Sequence, residues 1–275
     1  MRRPPGGTPG SVAPRQRGFV LLIVLWTVGL LALIGAHITA NARSAAEQAT
    51  SLRAAAVAAA TADGLVHEAI FHLLDRSERR WAADGVVHRI VLARGSGEVV
   101  VSNEAGRINP TSATIQTLTA MLGRLGVSAE QARLLATAIY EWHVAGGANP
   151  AAYSAAHLPY LPPASQFLDV DELLLIPGMT PDLLARLDPH LSVYNDGYLD
   201  VTQADPLVIQ VIQTLNATQR PQAPEPGAPL VARISAWARL PDGEARREVV
   251  VRIDPGAADP ATFVQILAWR TPRPA

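Results

Sequence analysis

The sequence predicts an α+β fold: one long N-terminal helix packed on an antiparallel sheet, with an all-helical domain inserted between the strands. Three observations predict it. A charge-free apolar run opens the chain and leads into an alanine-rich amphipathic stretch. Strand-like segments then fall into two groups far apart in the sequence. Between those groups lies a long segment whose apolar residues follow helical spacing.

The helix comes first. From Gly18 to Ala42 there is no Asp, Glu, Lys or Arg. At helical rise such a segment covers roughly 35 Å, enough to cross a hydrocarbon layer of about 30 Å. Phe19, Ile23, Trp26 and Leu33 are representative of its membrane-facing side chains. Arg2, Arg3, Arg15 and Arg17 precede it, which predicts a cytoplasmic N-terminus and an exported body. A cleaved secretory signal would have a shorter apolar region and a small-residue cleavage site at its far end; Gly35-Ala36 and Thr39-Ala40 are the only candidates for one. A plain signal anchor is a further alternative. From Ser44 to Trp81 the chain is proline-free, and Leu52, Ala59, Val66 and Leu73 recur at heptad spacing beside Ala56 and Ile70. This predicts one helix from Phe19 to about Arg80, roughly 90 Å long. The recurring Leu52, Ala59, Val66 and Leu73 positions are the candidate partner interface.

The strands follow. Val86–Leu92 and Glu98–Ser102, joined through Ala93-Arg94-Gly95-Ser96-Gly97, predict a hairpin. Val231–Leu240 and Arg246–Ile253 flank Pro241-Asp242-Gly243-Glu244, a strong turn signal, and Phe263–Trp269 adds a fifth strand. In between, helices are expected at Thr111–Leu125, Ser128–His143, Asp169–Leu175, Thr180–Leu187 and Pro206–Leu215, and the prolines of Arg220–Pro229 read as a linker. The expected organisation is therefore a leader at 1–18, a membrane-spanning half-helix at 19–42, stem helix and first strands at 43–105, a helical insert at 106–217, a linker at 218–229 and the last strands at 230–275. The insert contains an echo. Gly106-Arg107-Ile108-Asn109-Pro110-Thr111-Ser112-Ala113 matches Gly197-Tyr198-Leu199-Asp200-Val201-Thr202-Gln203-Ala204. Each is a bend at glycine followed by a side chain able to cap free amides.

Composition narrows the function. The chain has 275 residues and a net charge of -1, so no global field attracts nucleic acid. With no cysteine, disulfides, thiolate metal sites and cysteine nucleophiles are excluded. His67-Glu68 with His72 suggests a zinc-protease helix, but histidines at that spacing sit about 140° apart and cannot readily share a metal. His143, His157 and His190 are scattered and read as structural. No nucleophile elbow or phosphate loop is present, so no catalytic residue is assigned. Two oxygen-rich runs, Asn195-Asp196 with Asp200 and Asp205, and Asp169 with Asp171 and Glu172, are of a kind suited to calcium. Neither has the spacing of a defined loop, so capping is the favoured role. No cofactor is required, with calcium the one to consider.

Several motifs resemble a known family. Arg15-Gln16-Arg17-Gly18 running into Phe19 resembles a prepilin peptidase site, with Gly18 and Phe19 as the processing pair. A helix that is apolar in its first half and amphipathic in its second resembles the pilin stem. Glu104 to Ala113, Leu135 to Trp142, the loop with Tyr153 and Pro159-Tyr160, and Leu173 to Thr180 followed by Leu187-Asp188-Pro189 resemble the K-type minor pseudopilins of bacterial type II secretion, the GspK family, over nearly the whole chain. The position five residues into the mature chain, where pilins usually carry glutamate, is Ile23; the K-type is the member that lacks that acid. Pro110 departs from the family, which tends to carry leucine there.

The resemblance implies a pilin-like fold, an inner-membrane anchor and a place at the tip of a periplasmic pseudopilus. It implies I-type and J-type minor pseudopilins, the major pseudopilin and prepilin peptidase as partners, with no nucleic acid and no enzymatic activity. A type IV pilus minor pilin is the alternative. A helix-hairpin-helix nucleic-acid-binding role, suggested by Pro177-Gly178, is remote, because Asp169, Asp171, Glu172, Asp182 and Asp188 crowd that turn against Arg186.

Overall fold

The structure is a computed structural model and describes residues 15–147, 149–197, 199–215, 228–259 and 262–272. The leader up to residue 14 and most of the expected linker at 218–229 lie outside the described residues. Contacts divide the chain into two units, Met1–Val57 and Ala58–Ala275.

The first unit is described from Arg15 and is wholly α-helical, part of helix α1 (Arg15–Leu74). Its apolar side chains lie outside any core: Phe19 is 67% exposed and Trp26 is 74% exposed. Two threonine hydroxyls in this unit are satisfied by its own backbone. The Thr27 hydroxyl donates to the Val24 carbonyl at 2.9 Å and the Thr39 hydroxyl donates to the Gly35 carbonyl at 2.7 Å. Such back-bonding is what lipid demands of a hydroxyl that has no water.

The second unit holds the end of α1, a sheet and the insert. Helix α1 stops at Leu74, earlier than the expected Arg80, because Asp75 competes for the backbone. Its carboxylate accepts from the Ser77 amide at 2.9 Å and the Ser77 hydroxyl at 2.8 Å. The Ser77 amide is the main reason the Asp75 carboxyl titrates below its usual range. The Trp81 amide then donates to the His72 carbonyl at 3.1 Å. Its indole stacks between the imidazoles of His72 and His88, with centroids at 4.4 and 3.8 Å.

Five strands follow: β1 (Asp84–Leu92), β2 (Gly95–Asn103), β3 (Leu230–Leu240), β4 (Gly243–Ile253) and β5 (Val264–Arg270). They form one antiparallel sheet in chain order. Both expected hairpins are present. They close more tightly than expected, Leu92 pairing with Gly95 and Leu240 with Gly243. Period-two alternation turns Val99, Val101, Ala232, Ile234, Ala236, Ala238, Val249 and Val251 onto Ala62, Leu65, Val66, Ala69 and Leu73 of α1. Alanines along β3 let the helix sit close. At Gly97 a side chain would come within 2.7 Å of the Leu65 methyls, so glycine makes room for that leucine. Truncating Leu65 would remove about 2–5 kcal/mol of this packing.

The insert leaves the sheet after β2 and returns at β3, although β2 and β3 are paired neighbours. It contains α2 (Ile115–Arg124), α3 (Ala129–His143), α4 (Pro150–Ala155), a 3-10 segment at Val170–Leu175, α5 (Pro181–Leu187) and α6 (Pro206–Thr214). Thr114, Ser128, Asn149, Asp169, Thr180 and Asp205 each accept from an amide in the first turn that follows. The expected helix from Thr111 starts at Ile115 instead, because residues 109–113 form a turn. Helix α4 escaped sequence reading, though Asn149-Pro150, a cap followed by proline at the first helical position, signals it. The insert has its own core, with Leu118, Met121, Leu122, Leu135, Ile139, Leu173, Leu187 and Val208 among its buried side chains and Trp142 stacked on Phe167 at 5.6 Å.

Candidate assembly site

The described residues of the second unit are organised around two apolar cores. Its functional geometry lies in two places: the junction that fixes the insert to the sheet, and the exposed faces of α1.

The junction is built on a buried ion pair. Glu104, which follows β2, is 0% exposed, and Arg233 of β3 is 5% exposed. The Arg233 guanidinium donates to both Glu104 oxygens, at 2.7 and 3.1 Å, and to Glu248 of β4 at 3.0 Å. Arg107 stands 3.4 Å from Glu104. Burial pulls Arg233 toward deprotonation, but Glu104 and then Glu248 outweigh it, so its affinity for the proton rises. For Arg107 burial wins and the affinity falls. A bidentate carboxylate–guanidinium pair fixes direction as well as distance. It ties the turn that leads into the insert to the first strand after it.

The two echo turns complete the junction, and their capping ends are built alike. In the first, the Thr111 amide donates to the Asn109 side chain at 2.9 Å and the Ser112 amide to the Asn109 carbonyl at 3.2 Å. In the second, the Thr202 amide donates to Asp200 at 2.9 Å and the Gln203 amide to the Asp200 carbonyl at 3.0 Å. The turns also meet. A side chain on Gly106 would come within 2.1 Å of the Gln203 carbonyl oxygen, and one on Gly197 within 2.5 Å of the Ser112 hydroxyl. Each glycine thus admits the equivalent part of the other turn. Asn195 stitches them to the ion pair by donating to the carbonyls of Glu104 and Arg107, both at 2.9 Å. At the edge of the junction Arg270 of β5 bonds the Tyr194 hydroxyl and stands 2.9 Å from Asp169. Burial, opposed by Arg270, raises the Tyr194 hydroxyl above its usual range.

The oxygen-rich runs are used up locally. Asp169 caps the Asp171 amide and pairs with Arg270. Asp200 holds both the Thr202 amide and its hydroxyl. Asp205 caps α6 and meets His190 at 2.6 Å. Among the described residues no three His, Cys, Asp or Glu side chains gather closely enough to share a metal ion. His67 and His72 diverge: His67 meets the Asp63 carbonyl at 2.7 Å, while His72 stacks on Trp81.

The expected processing pair, Gly18 and Phe19, lies within α1. Phe19, Ile23, Trp26 and Leu33 are all exposed, Ile23 at 46% and Leu33 at 66%, as an apolar span requires. The expected interface stripe divides. Leu52 is 71% exposed, Ala59 is half-buried, and Val66 and Leu73 are at 0% and 3% inside the chain's own helix–sheet core. Val66 and Leu73 are therefore corrected from partner-facing to core. An alanine-rich helix has small apolar residues all round, so heptad spacing alone did not show which face the sheet would take.

These features define a class: an α+β protein of pilin-like build, with a membrane-length apolar helix and a helical domain between neighbouring strands. Within it, residues 95–196 match the family model described as Type II secretion system (T2SS), protein K. A chain from the crystal structure of the GspK-GspI-GspJ complex from the enterotoxigenic Escherichia coli type 2 secretion system has the same fold. It matches with a TM-score of 0.51 and 18% identity, over 85% of this chain and 100% of that one. No curated protein matches the sequence. The matched segment covers β2, the Glu104 turn and the insert through α5, and ends just before the second echo turn. Together the family match and the fold support a K-type minor pseudopilin of type II secretion.

Proposed function

We propose that this protein caps the tip of the periplasmic pseudopilus of a type II secretion system and helps initiate its assembly, for export of folded proteins across the outer membrane. The single observation that carries this reading is the helical insert, a domain with its own core held between neighbouring strands by the Glu104–Arg233 pair. Pilin subunits stack with their stem helices side by side at a small axial rise. A second domain held rigidly on the body leaves no room for a subunit above it, and the top position has none. Ile23, where a pilin glutamate is expected, supports the same position, since a first subunit has no predecessor to engage.

On this reading prepilin peptidase cuts between Gly18 and Phe19. Arg2, Arg3, Arg15 and Arg17 hold the N-terminus on the cytoplasmic side of the inner membrane, and the body is periplasmic. The I-type and J-type minor pseudopilins and the major pseudopilin are its partners. The role is structural, with no catalytic residue and no required cofactor. N-terminal sequencing of the protein recovered from membranes tests it: methylated Phe19 is the expected first residue. An intact N-terminus, or cleavage after Ala36 or Ala40, rejects it.

A further inference from the structure

The two edges of the sheet are not alike. On the β5 side, Arg270 bonds the Tyr194 hydroxyl and stands 2.9 Å from Asp169, so side chains of the insert hold the end of that strand. The β4–β5 register also shifts between Val250 and Val251, an irregularity that makes an edge a poor template for further pairing. The β1 edge is guarded only at its start. There the register shifts between Asp84 and Val87, and the Asp84 carboxylate accepts from the Val86 amide at 3.0 Å. From Val87 to Leu92, β1 pairs with β2 residue by residue.

The hairpin fixes which backbone groups of β1 are open. Leu92 and Gly95 flank a two-residue turn and so form a hydrogen-bonded pair. By antiparallel alternation His88 and Ile90 also turn their N–H and C=O groups toward β2, while Val87, Arg89 and Val91 turn theirs outward. Those three side chains share one face as well. Ile90 and Leu92 pack against the helix–sheet core, so Val87, Arg89 and Val91 lie on the face away from α1. All three are exposed, Val87 at 49% and Val91 at 94%. Open donors and acceptors beside an aliphatic–basic–aliphatic row make a template for one more strand.

Charge selects the occupant. Arg76, Arg79, Arg80, Arg89 and Arg94 are all exposed along β1 and the turns at its ends, against Asp75, Glu78 and Asp84. Of those acids, Asp75 is engaged by Ser77 and Asp84 by the Val86 amide. Arg89 meets Glu98 at 3.6 Å and Arg94 meets Asp242 at 3.3 Å, exposed pairs of a kind that water weakens. The whole chain has a net charge of -1, so this basic edge is a local feature. We propose that the open edge of β1 binds an extended acidic segment of another protein as an added strand, with aliphatic, acidic and aliphatic side chains at alternate positions facing Val87, Arg89 and Val91. A second copy of this chain would bring the same arginines to the same edge, and like charges across a strand pair repel. The site is defined by β1 and its turns alone, so it stands or falls separately from the secretion reading.

The probe is a labelled, end-capped peptide of sequence Thr-Val-Thr-Glu-Thr-Val-Thr, titrated with the full-length chain in detergent micelles and read by fluorescence anisotropy. The expected result is saturable binding that weakens about tenfold when lysine replaces the peptide glutamate. Methylating the backbone nitrogens of the two peptide valines and the glutamate, which face β1, should weaken it at least about tenfold. Val91→Pro removes one outward N–H and leaves the β1–β2 bonds in place, so binding should fall about tenfold while the melting temperature holds. Arg89→Glu should reverse the preference, the lysine peptide then binding better than the glutamate peptide. Absence of saturable binding to the unaltered chain overturns the proposal. So does equal binding of the methylated peptide, a readout that needs no variant of the chain to fold. Unchanged binding by a folded Val91→Pro chain overturns β1 as the edge. Equal binding of the glutamate and lysine peptides overturns the acidic occupant. Dimers of the unaltered chain in sedimentation that Val91→Pro dissolves overturn the choice of another protein over a second copy.

Discussion

The two echo turns use one device twice, yet they are not equally replaceable. Each bends at a glycine, caps itself through Asn109 or Asp200, and accepts the other turn's chain where the glycine side chain is missing. The difference lies in what each glycine faces. Gly106 is pressed on the backbone of Gln203 and Ala204, which has nowhere to go. Gly197 is pressed on the Ser112 side chain and is also at φ +79, a conformation L residues rarely adopt. One glycine answers to its neighbour's main chain and the other mostly to its own. The first turn also carries the ion pair, since Glu104 is only two residues ahead of Gly106. The junction is therefore weighted toward its first copy.

The largest effect should come from breaking the ion pair. Glu104→Ala leaves the Arg233 guanidinium buried with only Glu248 beside it, and removing one partner of such a pair costs about 3–5 kcal/mol. Urea melting of the chain measures it; a loss under about 1 kcal/mol would show that water reaches the pair and that the junction is not dry. Next, Gly106→Ala should cost about 3 kcal/mol, because a backbone obstacle cannot rotate away. Gly197→Ala should cost about 1–2 kcal/mol, the usual penalty for a left-handed residue, plus whatever the Ser112 contact adds. The comparison can be sharpened by adding Ser112→Gly. It should recover part of the Gly197→Ala loss and none of the Gly106→Ala loss. Equal rescue of both would mean that the turns move as one body and that the asymmetry is false.

The fold was largely legible because its elements obey short-range rules. Apolar spans, strand alternation around Pro241-Asp242 and the caps at Ser128, Thr180 and Asp205 are local signals, and the structure places those elements within a few residues of where they were expected. The junction was not legible in the same way. Glu104 and Arg233 are separated by the whole insert, so nothing near either of them marks the pair. The echo was visible as a pattern, but that its two copies pack reciprocally depends on the insert folding back on itself. The stripe on α1 failed for the opposite reason: too many small apolar residues satisfied the same periodicity.

The insert core offers the smallest test, at a single oxygen. Tyr153 is 2% exposed and stands edge-on to Tyr160 at 6.1 Å, and its hydroxyl has no hydrogen-bond partner among the described residues. Burial, with smaller contributions from Tyr160 and Glu141, pushes its pKa up to about 12. The folded chain therefore holds the neutral form where the unfolded chain ionises near pH 10. Its contribution is fully present below pH 10 and is lost as pH rises from there toward 12. Tyr153→Phe removes both the orphaned hydroxyl and the titration, and should stabilise the chain by about 1 kcal/mol at neutral pH. The gap between variant and parent should widen above pH 10. If Tyr153→Phe instead destabilises the chain at neutral pH, the hydroxyl has a partner, and the insert core is more polar than its side chains suggest.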